Sequence, residues 1–143
     1  MDVEEKFTDC SLLPQVAVPF MNTVHCEELL LVGKLLGQVE SGEAPDTVDA
    51  TLAAWVGHTE AHFAREERLM MEYNFFAYPV HQMAHEEALQ QLQAVQQQWQ
   101  ASRDYTALTA YIREWREWLQ QHVASMDFVT AHFLSQFNIQ VEL

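Results

Sequence analysis

The stretch His62–Glu87, "HFAREERLMMEYNFFAYPVHQMAHEE", decides the fold. His62 and Glu66 are four residues apart, and so are His81 and His85. Residues four apart lie one turn above each other on one face of an α-helix. Phe63, Leu69, Met70 and Tyr73 recur among the charges as an amphipathic helix requires. "NFFAYP" (74–79) interrupts the pattern, and Pro79 suits the first turn of a new helix. The stretch reads as two helices joined by a short break, each carrying a pair of ligand-type side chains.

The same reading extends in both directions. Only 4 Gly and 4 Pro punctuate the 143 residues, and helix formers fill the spaces between them. One helix is expected from Pro19 to about Glu40, followed by the loop "SGEAPD" (41–46). A second is expected from an Asp46 N-cap to about Tyr73, and a third from Pro79 to near Ala101. "SRD" (102–104) connects to a fourth, from Tyr105 to about Phe133, capped by Asp104 or Ser102. On it Leu108, Tyr111, Ile112, Trp115, Trp118 and Leu119 follow the helical period. The Gln-rich run 90–100 keeps Leu92, Val95 and Trp99 at helical spacing and reads as helix with a polar face. Helices of this length with short connections pack as an all-α, up-down-up-down antiparallel four-helix bundle over residues 19–137. Residues 1–18, broken by "LLPQVAVP", are expected to form an irregular N-terminal arm.

Bulk properties exclude several function classes. Seven Lys and Arg against 21 Asp and Glu give a formal charge of −14. Such a surface repels nucleic acid and anionic membrane. No apolar run approaches the roughly 20 residues of a membrane span, and the acidic start "MDVEEKFTDC" does not resemble a signal peptide. Cys10 and Cys26 alone make no disulfide framework, so a cytoplasmic protein with reduced thiols is expected.

The histidines are His25, His58, His62, His81, His85, His122 and His132. Five of them fall into order with two carboxylates: His25 on the first helix, His62 with Glu66 on the second, His81 with His85 on the third, and His122 with Asp127 on the fourth. In a bundle each helix then sends ligands to one level of the core. Imidazole suits iron, copper, zinc or nickel, and a carboxylate can bridge two cations. Five neutral imidazoles and two carboxylates sum to −2, enough to hold two divalent ions. A lone histidine or a single four-residue pair is weak evidence; the complete ordered set is not. The step from His122 to Asp127 overshoots one α-turn, and a local π-bulge would bring the two to one face. Glu67, beside Glu66, reads as solvated, and His132 as a surface residue off the ligand face.

This ordered set resembles the hemerythrin signature, and so do its flanks "HFAREERLM" (62–70), "YPVHQMAHE" (78–86) and "WLQQHVASMD" (118–127). The resemblance spans about residues 19–133. It implies two non-haem iron ions with an oxo or hydroxo bridge, and dioxygen as a reversible ligand. His81, His85 and His122 would hold one iron, and His25 and His62 the other, which keeps an open position. Glu66 and Asp127 would bridge them. Phe63, Trp118, Leu119 and Val123 would form an apolar wall that excludes water. The stretch "FMNTVH" (20–25) departs from the family's usual Trp-Asp-x-x-His, which leaves Asn22 as an uncharged outer partner of His25. The interval from His25 to His62 is long for the family, with the extra residues assigned to 41–46. His58, one turn before His62, is either an outer-sphere proton donor or a plain core histidine.

Three functions follow from these expectations. The first is a binding protein for oxygen carriage, storage or delivery. The second is an oxygen or redox sensor acting on a partner or a fused output domain. An enzyme of the ferritin-like kind is disfavoured, because Glu-x-x-His spacing is missing.

Overall fold

In the computed structural model, residues 6–139 and 141 are described. Four long helices form an antiparallel bundle: α1 Pro19–Glu40, α2 Pro45–Glu72, α3 Tyr78–Ser102 and α4 Tyr105–His122. After α4 the chain continues through a π turn, Val123–Asp127, into α5, Phe128–Leu134. α1 packs against α2 and α4, and α3 packs against the same two, so the helices stand in a square.

Local chemistry sets the helix ends. Pro19, Pro45 and Pro79 occupy the first turns, where a missing N–H costs nothing. α2 begins two residues earlier than the Asp46 cap implies. Ala44 is the cap, Pro45 takes the first position, and Asp46 lies in the first turn, where the helix dipole favours an acid. Arg103 closes α3 in the left-handed region (φ 51°), its N–H bonded to Trp99 O at 2.8 Å. Asp104 then caps α4 by accepting from the Ala107 N–H.

The core divides along the bundle. Towards the C-terminal end of α1, Val39, Val48, Leu52, Trp99 and Leu108 are buried together. Midway, Trp55 meets Trp115 edge-on at 5.1 Å. Towards the other end, the buried set changes from apolar to His25, His62, Glu66, His81, His85, His122 and Asp127.

Of the N-terminal arm, residues 6–18 are packed against the bundle, and residues 1–5 lie outside the described residues. Phe7, Leu13, Val16 and Val18 join the core. A short 3₁₀ turn, Cys10–Leu12, is capped by Asp9. Asn22 holds the arm from α1: its Oδ1 accepts from the Val16 N–H at 2.9 Å, and its Nδ2 donates to Val16 O at 3.0 Å. These contacts bring Cys10 back to the start of α1, and the expectation of reduced thiols is corrected: Cys10 and Cys26 form a disulfide, with Cα atoms 5.4 Å apart. Sequence spacing alone carried no sign of it, because the return of the arm is what makes the pair.

The bond closes a loop with a sequence separation of 16. Cys10→Ser is therefore expected to lower stability by about 3 kcal/mol, as for a loop of this size. Urea unfolding reads this as an earlier midpoint, and adding a thiol reductant to the parent protein should reproduce it. A midpoint that moves in neither experiment would show that the bond contributes nothing.

Candidate metal centre

Four helices supply the ligand-type side chains, each for a sequence reason. His25 lies in the second turn of α1. His62 and Glu66 stack one turn apart on α2, and His81 and His85 do so on α3. His122 ends α4, and the π turn Val123–Asp127 follows it. A π turn holds one more residue than an α-turn. That extra residue returns Asp127, which is fully buried, to the inner face that a regular helix would have turned away.

The side chains gather into two groups. His81, His85, His122 and Asp127 each offer an atom within 4.8 Å of the others; His25, His62 and Glu66 do the same. The carboxylates join the groups. Asp127 Oδ2 is 3.0 Å from His25 Nε2, while its Oδ1 is 3.1 Å from His81 Nε2 and 3.3 Å from His122 Nε2. Glu66 Oε2 is 2.6 Å from His62 Nε2, while its Oε1 is 3.5 Å from His81 Nε2 and 3.4 Å from His85 Nε2. Each carboxylate thus turns one oxygen towards each group.

Most of these atoms are close without being hydrogen-bonded. The Nε2 atoms of His25, His81, His85 and His122, Oε1 of Glu66 and both Asp127 oxygens are buried without a hydrogen-bond partner. Buried polar atoms are ordinarily satisfied, and each one left over costs stability. Here the unsatisfied atoms converge on shared centres, as ligands of a cation do. The donor set therefore fits a metal.

Electrostatics follow from the crowding. Burial pushes the Glu66 carboxyl up, and so does Asp127, but His62 and His85 outweigh both and hold it at about 2. Burial likewise opposes the charge on Asp127, yet His122, His25 and His81 hold it well below the usual carboxylate range. Both acids are poised as anions, the state that ligation requires.

The outer partners are partly unforeseen. Glu28 is buried on α1, and its Oε1 faces His62 Nδ1 at 3.2 Å and His58 Nδ1 at 3.1 Å. Burial raises its pKa, and the two histidines outweigh that and hold it at about 2. His58 is therefore hydrogen-bonded to the same carboxylate as His62, and its ring also stands edge-on to His62, with centroids 6.3 Å apart. The hydroxyl of Thr130 accepts from His81 Nδ1 at 2.7 Å. Glu67 is not merely solvated: its Oε2 accepts from His85 Nδ1 at 3.3 Å. Asn22 is a further correction, since its amide is wholly taken up by Val16 and does not serve His25. Glu28 lies three residues after His25 and Thr130 three after Asp127, but acids and threonines at that spacing are too common to single out.

Of the four residues expected to form an apolar wall, two stack on histidines. Phe63 stacks on His85 (3.9 Å between centroids, 4° between planes). Trp118 stacks on His122 at 4.6 Å and 15°. Leu119 and Val123 are buried on the same stretch of chain. His132 is exposed.

The hemerythrin HHE cation binding domain matches residues 20–133, most of the chain and all seven of these ligand-type residues. The chain belongs to the hemerythrin family. It is 32% identical to a bacteriohemerythrin of Aquifex aeolicus over 116 residues, which is 80% of this chain and 88% of that protein. A bacteriohemerythrin of Ralstonia nicotianae is 32% identical over 71% of this chain and 73% of its own length. A myohemerythrin of Sipunculus nudus is 34% identical over 55% and 59%, respectively. The hemerythrin fold and the buried donor set agree on a metal-binding, oxygen-related role. Among the described residues, no helix is long and apolar enough to cross a membrane.

Proposed function

We propose that this chain binds dioxygen reversibly at a pair of non-haem irons, as a carrier, store or donor of oxygen rather than as an enzyme. One observation carries the reading: Glu66 and Asp127 each offer one oxygen to each histidine group. That arrangement suits two cations side by side, bridged twice. The groups are unequal, with three histidines in one and two in the other. His81, His85 and His122 would hold one iron, and His25 and His62 would leave the other a free position. When bound, the iron pair supplies the two electrons that dioxygen takes up and returns.

The protein's part is to hold and to shield. Glu28, Thr130 and Glu67 take the outer nitrogens of His62, His81 and His85, which fixes the rings with Nε2 inward. Phe63, Trp118, Leu119 and Val123 keep the surroundings apolar, which slows the entry of water. His58 and Glu28 form a polar path from His62 towards the surface, where His58 Nε2 is 3.8 Å from Glu27. Cytoplasmic placement belongs to the same proposal; the Cys10–Cys26 bond, of a kind at home in oxidising compartments, pulls against it.

The purified chain should hold two irons. Metal analysis is the test, paired with optical spectra of the oxidised protein and of the reduced protein under oxygen. One iron per chain, zinc alone, or a reduced form whose spectrum does not respond reversibly to oxygen would defeat the proposal.

A further inference from the structure

Cations are scarce in this chain, and three of its seven Lys and Arg residues line a single cavity. Lys6 comes from the N-terminal arm, and Arg113 and Arg116 come from successive turns of α4. The cavity is an open groove with a volume of about 520 Å³. Phe7 and Leu12 form its apolar side, and Leu12 is 47% exposed there. It lies on the outer face of α4, away from the histidine groups, and shares no lining residue with them.

Arg116 is the telling residue. Its guanidinium is half-buried, and its described bonds go to neutral acceptors: Nε to Phe7 O at 3.4 Å and Nη1 to Gln120 Oε1 at 3.0 Å. Burial lowers its pKa, with no carboxylate to offset that. In a chain with 21 acids, a half-buried arginine with no acid partner among the described residues is unusual. Among the described residues Arg113 is paired with Glu40, at 3.2 Å, and both side chains are substantially exposed, so the pair is weak and easily exchanged. Among the described residues Glu117 is the one acid of the lining, against three cations.

We propose that this cavity binds an amphiphilic anion, a carboxylate or phosphate head carrying a short apolar tail. The guanidinium of Arg116, helped by Arg113 and Lys6, would take the head, since planar guanidinium matches both groups. Phe7 and Leu12 would take the tail. Because Arg116 and Gln120 also hold the arm, through Phe7 O and Leu12 O, an occupant would lie across the seam between arm and bundle.

Calorimetric titration of the full-length, iron-loaded protein tests this with four probes: octanoate, octyl phosphate, inorganic phosphate and octanol. Saturable 1:1 binding is expected for octanoate or octyl phosphate, and the stronger of the two identifies the head group. Inorganic phosphate and octanol should each bind at least about tenfold more weakly, because each lacks half of the recognition. Arg116→Gln should weaken the preferred amphiphile about tenfold or more, as the loss of a charge-assisted contact does. Arg113→Gln should also weaken it while leaving the fold intact, which guards against a misfolded Arg116 variant. Arg68→Gln, which lies outside the cavity, should change nothing. No saturable amphiphile binding, full affinity in both cavity variants, or equal loss in the Arg68 variant would overturn the proposal.

Discussion

Asp127→Ala should lose iron, while His132→Ala keeps it. Asp127 offers one oxygen to His25 and the other to His81 and His122, so its removal strips an anion from both groups at once. Changes to outer partners of a metal site typically cost about 10–100-fold in affinity. Deleting a shared carboxylate should exceed the upper end of that range. The variant also leaves Glu66 to offset the charge of both groups by itself if cations stay. His132 is the fitting control, because it stands a turn and a half further on and is exposed. Iron content after dialysis against a mild chelator makes the comparison. Equal retention in the two variants would remove Asp127 from the centre.

Leu119→Ala should keep both irons, melt earlier and lose its oxygenated form faster. Leu119 lies three residues before His122, on the same side of α4, and is almost fully buried. Truncating a buried leucine costs about 2–5 kcal/mol, depending on how far the cavity collapses. No ligating atom is lost, so metal content should hold. The new space lies beside the histidine groups, and water admitted there would hasten the oxidation of the centre. Decay of the oxygenated absorption, followed in stopped flow, is read beside a melting curve. Earlier melting with an unchanged decay would make Leu119 a core residue and nothing more.

The sequence carried the bundle because periodicity and punctuation agreed. Pro19 and Pro79 suited first turns of helices, and the ligand-type residues recurred at turns of the helices so marked, whereas Pro45 was assigned to a loop and opens α2 instead. The π turn was legible too, from the five-residue step between His122 and Asp127. What stayed hidden depends on which distant segments meet. The Cys10–Cys26 bond and the Asn22 clamp exist because the arm folds back on α1, and nothing local in residues 1–18 encodes that return. Glu28 was obscured by Glu27, since two adjacent acids look like solvated surface until one of them is seen buried. Glu67 was misjudged for the same reason: a neighbour of a ligand need not share its surroundings. The Lys6, Arg113 and Arg116 cavity joins residues about a hundred positions apart, far beyond the reach of any motif.

The π turn has a consequence beyond aiming one carboxylate. The buried positions of α4 run Leu108, Ile112, Trp115, Leu119 and His122. An unbroken α period would continue through Met126, Val129 and Phe133, all apolar. Instead the inner face passes to Asp127, Thr130, Ala131 and Leu134, and Val129 is left 44% exposed. The last two turns therefore spell two registers one residue apart, a rotation of about 100°. Apolar burial favours the first; the carboxylate and the Thr130–His81 bond favour the second. Such a segment is locally frustrated, with its periodicity and its ligand pulling towards different phases. Anything bound at Asp127 adds its binding energy to one phase only. A cation held at Asp127 would therefore stabilise the register of the final helix that the structure shows.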